Sequence, residues 1–295
     1  MKASFKFFSL IKHPVVYAGI YLVFSLMFVI DALTTKHLDY FFPFTGIGGV
    51  WRYPRIQLFG FSISLYATMC IVGLILSTIV LVVRRKIYNV SLVKAIITAI
   101  YSVSTGFIGA KILYCLENTD KIKQEGLNFN GVSFFGTVLL LPVFIFFLSL
   151  IFKKSYFDFM DYCTPACITM LICIRTGCFF NGCCGAITLW HGSFPVKLPV
   201  QLFECVLDFL IIEIVTAPRV KYLCSKMLYP LFACIYSVFR FGLEYLRESN
   251  PHIFGFLTNG QLMSIITLLL YGSILIKRHY LHKYEKTKRG NITAY

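Results

Sequence analysis

The sequence predicts an all-α fold, a polytopic integral membrane bundle of seven spans with one extra N-terminal helix. Of the 295 residues, 58% are hydrophobic and 14% are charged, whereas soluble domains average roughly 45–50% apolar and 25% charged residues. Apolar runs long enough to cross a bilayer, which takes about 20 residues, recur eight times along the chain. Cations are concentrated in every second connection between these runs. This composition excludes ordinary soluble domains, disordered chains, collagen and coiled coils.

The apolar runs define the predicted helices in order. The first begins after several lysines and resembles a signal peptide in that respect. Because this run is long and no small-residue cleavage site follows it, we interpret it as a retained helix. We interpret the other seven as membrane-spanning helices. The eight runs cover residues 14–32, 61–83, 94–116, 132–152, 161–180, 201–217, 227–247 and 260–276.

The distribution of cations predicts the orientation. A formal net charge of +15 is typical either of a nucleic-acid-binding protein or of a membrane protein with basic cytoplasmic connections. With eight spans, 18 of the 28 cations fall on one side and 6 on the other. By the positive-inside rule both termini are then cytoplasmic, and the charge requires no nucleic acid. The basic tail 277–295 would lie near anionic lipid headgroups.

The longest connection, residues 33–60, lies on the outer side in this topology and is rich in aromatic residues. It is interpreted either as an interfacial aromatic belt or as an amphipathic segment that faces the substrate. Together with the first helix it forms the first predicted region, residues 1–59, which is followed by a membrane domain at 60–276 and the tail at 277–295.

Four cations fall inside the spans or at their outer ends: Lys111, Arg175, Arg240 and Arg247. A charge at the bilayer centre is unfavourable by at least about 2.5 kcal/mol, so each of them needs a partner or a function. Arg247 is close enough to the end of its span for its side chain to reach the interface. This explanation fits Arg175 and Arg240 less well, and they are therefore the stronger candidates for a functional site.

Two polar stripes accompany these cations. The run 227–247 carries residues at i, i+4, i+8 and i+11, which share one helical face. The run 201–217 carries a second set at i, i+3 and i+7. In chain order the two stripes are Gln201, Glu204 and Asp208, then Tyr236, Arg240, Glu244 and Arg247.

The pairing of carboxylates with arginines in a dry interior has two interpretations. One is a structural ion network that joins helices. The other is an anion pocket, in which arginine forks bind a phosphate bidentately while the carboxylates orient them.

The segment from Ile174 to Gly185 begins as the end of a predicted span and continues as a glycine-rich turn. Small residues let backbone amides approach a ligand closely, and Arg175 before such a turn suits a lipid headgroup. The segment also contains three cysteines, but their C-x4-C-C spacing has no clear second pair of metal ligands. We therefore predict no metal and no cofactor, and the role of the thiols stays open. The cysteines are Cys178, Cys183 and Cys184.

Several motifs resemble those of the prolipoprotein diacylglyceryl transferase family. The run from Arg175 to Gly182 is similar to G-R-x-G-N-F-x-N-G-E, and Leu198 to Glu204 is similar to H-P-S-Q-L-Y-E. Tyr236 to Arg247 matches Y-G-x-x-R-x-x-x-E-x-x-R. The runs 259–264, 109–111 and 131–136, together with Tyr66, parallel four further family motifs. The order and spacing hold from about residue 60 to 276.

This resemblance implies an enzyme that moves the diacylglyceryl group of phosphatidylglycerol to a lipobox cysteine of a prolipoprotein. It implies a bacterial cell membrane location and, as partners, phosphatidylglycerol, prolipoprotein signal peptides and the lipid bilayer. It also assigns residues. The implied catalytic residues are Arg240, Glu244 and Tyr236. The implied substrate-binding residues are Arg175, Asn181, Gly177, Tyr66, Gln201, Glu204, Arg247 and Gln261.

The chain also departs from the family pattern. Phe135 occupies the place of a family histidine that would be the natural base for the substrate thiol, and Lys111 the place of an arginine. Further departures are Ile174 for glycine, Cys178 for asparagine, Cys183 for glutamate and Leu198 for histidine. Two alternatives stay open on this ground. One is a relative that transfers another lipid or uses another acceptor, and the other is a non-catalytic lipid-binding protein.

Overall fold

The computed structural model describes residues 55–58, 61–126, 131–180, 187–190, 196–197, 200–247, 252–253 and 256–292. The predicted first helix at 14–32 lies outside this part of the chain, as does most of the segment 33–60. Asn181, Cys183, Cys184 and Leu198 also lie outside the described residues.

Helices dominate the described chain, as the sequence predicts. Three two-stranded antiparallel hairpins, β1–β2, β3–β4 and β5–β6, lie between them. The strands are β1 (Arg55–Leu58), β2 (Phe61–Ser64), β3 (Thr188–Trp190), β4 (Val196–Lys197), β5 (His252–Ile253) and β6 (Leu257–Thr258). The helices are α1 (Leu65–Arg84), α2 (Leu92–Glu117), α3 (Thr119–Glu125), α4 (Phe134–Ile151), α5 (Tyr156–Phe180), α6 (Val200–Thr216), α7 (Pro218–Leu223), α8 (Leu228–Leu243) and α9 (Asn259–Ile292).

Five of the described helices are long and apolar enough to cross a membrane: α1, α2, α4, α5 and the first 20 residues of α9. Helices α6 and α8 coincide with two further predicted runs. At 17 and 16 residues, they are shorter than these five helices. Large apolar side chains remain exposed along these helices, as expected for a surface that faces lipid. The prediction of an all-α, multi-pass membrane protein is confirmed.

The start of the second predicted run is wrong by four residues. Residues 61–64 form strand β2 rather than helix, and Arg55 of β1 lies opposite Ser64. Helix α1 begins at Leu65 because Ser64 has an extended backbone and its hydroxyl accepts the N–H of Ala67 at 3.2 Å. A serine in this position is a common N-cap. The alternation of apolar and polar residues at 61–64 is typical of a strand. The predicted run missed this strand because hydropathy averaged over about 19 residues does not resolve an alternation of four residues.

The predicted helix at 227–247 ends earlier than the spacing of its polar residues suggests. Helix α8 stops at Leu243, and Glu244–Leu246 form one turn of 3-10 helix. Arg247 then has an extended backbone. Glu244 and Arg247 therefore do not continue the α-helical spacing that relates Tyr236 to Arg240. In contrast, α9 continues well beyond the predicted end at residue 276.

The chain divides into two compact units. The first unit gathers the described residues up to Ile100, those of Pro165–Pro218 and those of Leu243–Asn250. In this unit, α1 packs closely on α5. A Cβ on Gly73 would lie 2.7 Å from the sulfur of Met170, and the Ser77 hydroxyl donates to the carbonyl of Ala166 at 2.9 Å. Small residues at such crossings are the usual means of close helix packing in membranes.

The second unit gathers Tyr101–Thr164, Arg219–Gly242 and the described residues of Pro251–Tyr295. One close helix crossing in this unit joins α2 to α4. A Cβ on Gly136 would lie 2.2 Å from the carbonyl oxygen of Gly109, and the Thr137 hydroxyl donates to the carbonyl of Gly106 at 2.7 Å. This crossing brings the start of α4 against the C-terminal half of α2.

Candidate functional site

In the first unit, one carboxylate joins two of the arginines that the sequence analysis singled out. Oε2 of Glu204 lies 3.2 Å from Nε of Arg175, and Oε1 lies 3.3 Å from Nη2 of Arg247. The Glu204 side chain is only 2% exposed, and those of Arg175 and Arg247 are 8% and 11% exposed. The arginine side chains therefore do not reach into solvent but share a buried carboxylate.

The polar stripe of α6 explains why Glu204 lies at this position. Gln201, Glu204 and Asp208 are all buried, whereas the intervening Phe203 and Val206 are exposed. The spacing of the three polar residues puts them on one face of the helix, and this face is turned inward. Asp208 lies within electrostatic range of both Arg175 and Glu204. The predicted pairing of inward-facing carboxylates with arginines is thus observed for Glu204.

Arg247 of this cluster, and Glu244, come from the segment that follows α8. Glu244, in the 3-10 turn, is buried. The N–H of Ile187 donates to the carbonyl of Leu246 at 3.1 Å, next to Arg247. This hydrogen bond ties the segment that carries Glu244 and Arg247 to the chain that leads into β3.

The end of α5 packs against the start of α1. A Cβ on Gly177 would lie 3.2 Å from the Cδ2 atom of Tyr66 and 3.2 Å from Cβ of Met69. Gly177 therefore allows two helices to approach, two residues after Arg175. Beside it, Thr176 Oγ1 lies 3.6 Å from the sulfur of Cys205, so the neighbours of Arg175 and Glu204 along the chain also contact each other.

The second unit holds the other two implied catalytic residues, Tyr236 and Arg240, both of them buried. The Tyr236 ring packs edge-to-face against Phe134 and Phe135, with centroids 5.1 and 5.9 Å apart. Phe135, which replaces the family histidine, is itself buried. At this position the chain places an aromatic contact rather than a group that accepts a proton.

Gln261 has a structural partner at the start of α9. Its side-chain oxygen accepts the N–H of Thr258 at 3.1 Å, while the Thr258 hydroxyl accepts the N–H of Gln261, also at 3.1 Å. This reciprocal pair is a capping box, in which threonine is the N-cap and glutamine follows three residues later. The T-x-x-Q spacing was visible in the sequence as a helix-start signal.

Lys111 also has partners within its own unit. Its Nζ atom donates to the carbonyl of Gly131 at 3.2 Å and lies 4.8 Å from the centre of the Tyr114 ring. A cation–π contact of this kind is favourable where water is scarce. Lys111 thereby fixes the residues immediately before α4.

Asp161 is a buried charge that the sequence analysis did not single out. Its two carboxylate oxygens accept the N–H groups of Lys226 and Leu228, at 2.5 and 2.9 Å. Leu228 is the first residue of α8 and Lys226 lies two residues before it, so Asp161 of α5 caps a helix that begins 67 residues later. No local pattern marks such a cap. Among the described residues, no three His, Cys, Asp or Glu side chains are grouped so that they could hold a metal ion.

Comparison with known proteins adds a family to this geometry. The family model for prolipoprotein diacylglyceryl transferase matches residues 55–277. Phosphatidylglycerol–prolipoprotein diacylglyceryl transferase 2 of Clostridium perfringens is 27% identical over 239 residues, which are 75% of this chain and 92% of that protein. The Clostridium tetani transferase is 25% identical over 243 residues, with coverages of 72% and 92%.

A third relative, from Oleidesulfovibrio alaskensis, is 31% identical over 163 residues, half of this chain and 59% of that transferase. The family match covers the buried arginine cluster of the first unit, the Tyr236 contacts of the second unit and all five apolar helices that could cross a membrane. The chain belongs to the prolipoprotein diacylglyceryl transferase family.

Proposed function

We propose that this chain is a transferase that moves the diacylglyceryl group of phosphatidylglycerol to the cysteine thiol of a prolipoprotein lipobox. The observation that carries this proposal is the buried Arg175–Glu204–Arg247 cluster, which lies inside the region that matches the family. Arginine binds phosphate with a fork of N–H donors. A buried cluster of this kind suits the phosphodiester of a lipid headgroup.

The reaction requires one bond to form and one to break. The cysteine sulfur attacks the carbon of the diacylglyceryl group that is bonded to the phosphate oxygen, and a carbon–sulfur thioether bond forms. The bond between that carbon and the phosphate oxygen breaks, and glycerol phosphate leaves. The thiol proton leaves before or during the attack, because the thiolate is the nucleophile.

The leaving phosphate gains charge as its bond breaks, so preorganised cations accelerate this step. Arg175 and Arg240, which are retained from the family motifs, are the cations to which we assign this role. Glu204 supports it in the first unit, because its carboxylate orients the guanidinium of Arg175 as well as that of Arg247. The family assignments of Tyr236, Gly177, Tyr66, Asn181 and Gln201 to the site are part of the same proposal.

The proton acceptor is the step in which this chain must differ from the family pattern. Phe135 has no lone pair to accept a proton. Two routes remain: the positive field of the arginines lowers the pKa of the substrate thiol, or a carboxylate, Glu204 or Glu244, accepts the proton.

The proposal includes the location and the partners. The reaction domain is the membrane domain at 60–276, in a bacterial cell membrane with both termini cytoplasmic. The lipid substrate enters from the bilayer, and the acceptor is the signal peptide of a prolipoprotein. The distribution of cations along the sequence supports this orientation.

Mass spectrometry of a lipobox peptide tests the function. The purified protein is incubated with phosphatidylglycerol and the peptide, and a matched peptide with serine in place of cysteine is the control. We expect the cysteine peptide to gain the mass of one diacylglyceryl unit while glycerol phosphate is released. A different lipid adduct would indicate a relative with another substrate. Lipid binding without any adduct would indicate a non-catalytic lipid-binding protein. Either result would overturn the proposal.

A further inference from the structure

A single backbone carbonyl in the second unit joins three helices. The carbonyl oxygen of Val138 in α4 accepts the hydroxyl of Tyr229 in α8 at 2.8 Å and the hydroxyl of Tyr271 in α9 at 2.8 Å. The two tyrosine rings also contact each other edge-to-face, with centroids 5.7 Å apart. All three residues are buried.

Pro142 explains why this carbonyl is available. In an α-helix the carbonyl of Val138 would accept the N–H of the residue four positions later. That residue is Pro142, which lies inside α4 and has no N–H. In a membrane a carbonyl that loses its helical donor must be satisfied by neighbouring groups. Here the tyrosines of two neighbouring helices supply both donors.

A continuous row of aromatic contacts leads from this carbonyl along α8. The Tyr229 ring contacts Phe232 at 5.6 Å, and Phe232 contacts Tyr236 at 6.0 Å. These residues and Arg240 follow each other at i, i+3, i+7 and i+11, so they share one face of the helix. The face that Tyr229 anchors is therefore the face that carries Tyr236 and Arg240.

Helix α4 contacts the same face at two levels. At one level the Val138 carbonyl binds Tyr229. One turn earlier in α4, Phe134 and Phe135 pack against the ring of Tyr236. Two contacts at different heights prevent both sliding and rotation of α8 on α4. Only the first of them is directional, because a hydrogen bond depends on distance and angle more steeply than a ring contact does.

From these contacts we infer that Tyr229 and Tyr271 are positioning residues for the transfer reaction. Through the carbonyl that Pro142 leaves without a helical donor, they hold α8 in the register at which Tyr236 and Arg240 act. The activity part of this inference rests on the proposed function. Its structural part, that α8 is held in register by these hydroxyls, does not.

The double variant Tyr229→Phe/Tyr271→Phe removes both hydroxyls and keeps the rings. We expect kcat to fall about tenfold with KM for phosphatidylglycerol changed less than about twofold, because a cation displaced by a fraction of an ångström loses more transition-state than ground-state stabilisation. Tyr271→Phe alone should have a smaller effect, since Tyr229 of α8 still binds the carbonyl.

Tyr101→Phe is the matched control. Its hydroxyl donates to the carbonyl of Phe144 at 3.2 Å, so this variant also removes a hydroxyl from a carbonyl of α4 but leaves α8 untouched. We expect its kcat to stay within about twofold of the wild type. An equal loss of kcat in Tyr101→Phe and in the double variant would overturn the inference, because the effect would then follow from general loosening of α4.

Pro142→Ala tests the same device without altering either tyrosine. Alanine restores an N–H at this position, which can bind the Val138 carbonyl within α4 and compete with the tyrosine hydroxyls. We expect kcat to fall several-fold even though alanine favours the helix more than proline does. In this background, Tyr229→Phe should add little further loss.

Hydrogen exchange supplies a readout that does not depend on activity. In the double variant, amides of residues 232–243 in α8 should exchange faster, because α8 has lost its hydrogen bond to α4. Those of α1, which neither tyrosine contacts through the Val138 carbonyl, should keep the wild-type rate. If the wild type transfers no lipid, the proposed function fails and this exchange experiment decides the inference. Unchanged exchange in α8 of the double variant would overturn the inference. Full kcat in a folded double variant would also overturn it. If the double variant does not fold, the exchange and kcat of Pro142→Ala are measured instead.

Discussion

The carboxylate of Glu204 lies 3.2 Å from Nε of Arg175, in a part of the first unit that is almost fully buried. A charge buried in this way is tolerated only when it is paired, and loss of one partner leaves the other uncompensated. Glu204 also bridges to Arg247 at 3.3 Å, so its removal would leave two guanidinium groups without this carboxylate. The stability of the cluster and its proposed chemistry therefore depend on the same residue.

Replacement of Glu204 should be strongly destabilising. We expect Glu204→Ala to lower the free energy of unfolding by about 3–5 kcal/mol, as is usual when one partner of a buried ion pair is removed. Glu204→Gln, which keeps the shape and one acceptor oxygen, should be less severe. The measurement is the midpoint of thermal unfolding of the purified protein in detergent. Glu213→Gln, a change of the same kind in α6 at a half-buried position, is the control; an equal shift there would refute the role of the cluster.

The crossing of α2 and α4 predicts a second stability effect. Gly136→Ala would place a methyl group 2.2 Å from the carbonyl oxygen of Gly109, so the two helices must separate. Overpacking of this kind lowers stability by about 1–3 kcal/mol. In Gly242→Ala the new methyl group meets nothing within 4 Å, and we expect no loss. Similar unfolding midpoints for the two variants would show that this close approach does not occur.

The cap that Asp161 provides for α8 predicts a contrast between two neighbouring aspartates. Asp161→Ala removes the acceptor of two backbone N–H groups, and we expect it to lower the free energy of unfolding by about 1–3 kcal/mol. Asp158 pairs with Lys226 at 3.6 Å, with both side chains nearly half exposed. Because exposed pairs add about 0–1 kcal/mol, Asp158→Ala should have a small effect. Thermal unfolding of both variants checks the difference, and a reversed order would contradict it.

The proposed orientation can be tested at Cys224, which follows α7 on the predicted cytoplasmic side. Burial raises the pKa of the Cys224 thiol, and the negative charge of Asp161 raises it further. The reactive thiolate is therefore scarce near pH 7, and labelling by a maleimide should increase as the pH rises through this elevated pKa. A membrane-impermeant maleimide should label Cys224 only after permeabilisation, as read by peptide mass spectrometry. Labelling of Cys224 in intact cells would contradict the proposed orientation and indicate the opposite one.

Local patterns in the sequence account for most of the helices and for the inward-facing carboxylates of α6. Gln201, Glu204 and Asp208 are spaced so that any helix at this position puts them on one face, whatever surrounds it. The polar residues of α8 were predicted less well, because the change to a 3-10 turn at Glu244 depends on how the chain is held after Leu243. Hydropathy alone could not show this change of helix type.

Contacts between distant residues were beyond what local patterns can predict. The Asp161 cap joins residues 67 positions apart, and the bond from Tyr271 to the Val138 carbonyl spans 133 positions. Pro142 was visible in the sequence, but a proline in a helix does not show which neighbours will bind the carbonyl it leaves without a donor. The contact between Thr258 and Gln261 is different, because a capping box is encoded within four residues and its T-x-x-Q pattern can be read from the sequence.

Diacylglyceryl transfer by arginine variants tests the central proposal most directly. Initial rates are compared for the wild type, Arg175→Ala, Arg240→Ala and the control Arg219→Ala, whose arginine is exposed in α7. We expect the first two variants to lose at least about a hundredfold in kcat, the usual loss when a transition-state donor is removed, and Arg219→Ala to keep the wild-type rate. Full transfer by Arg240→Ala or Arg175→Ala would contradict the mechanism.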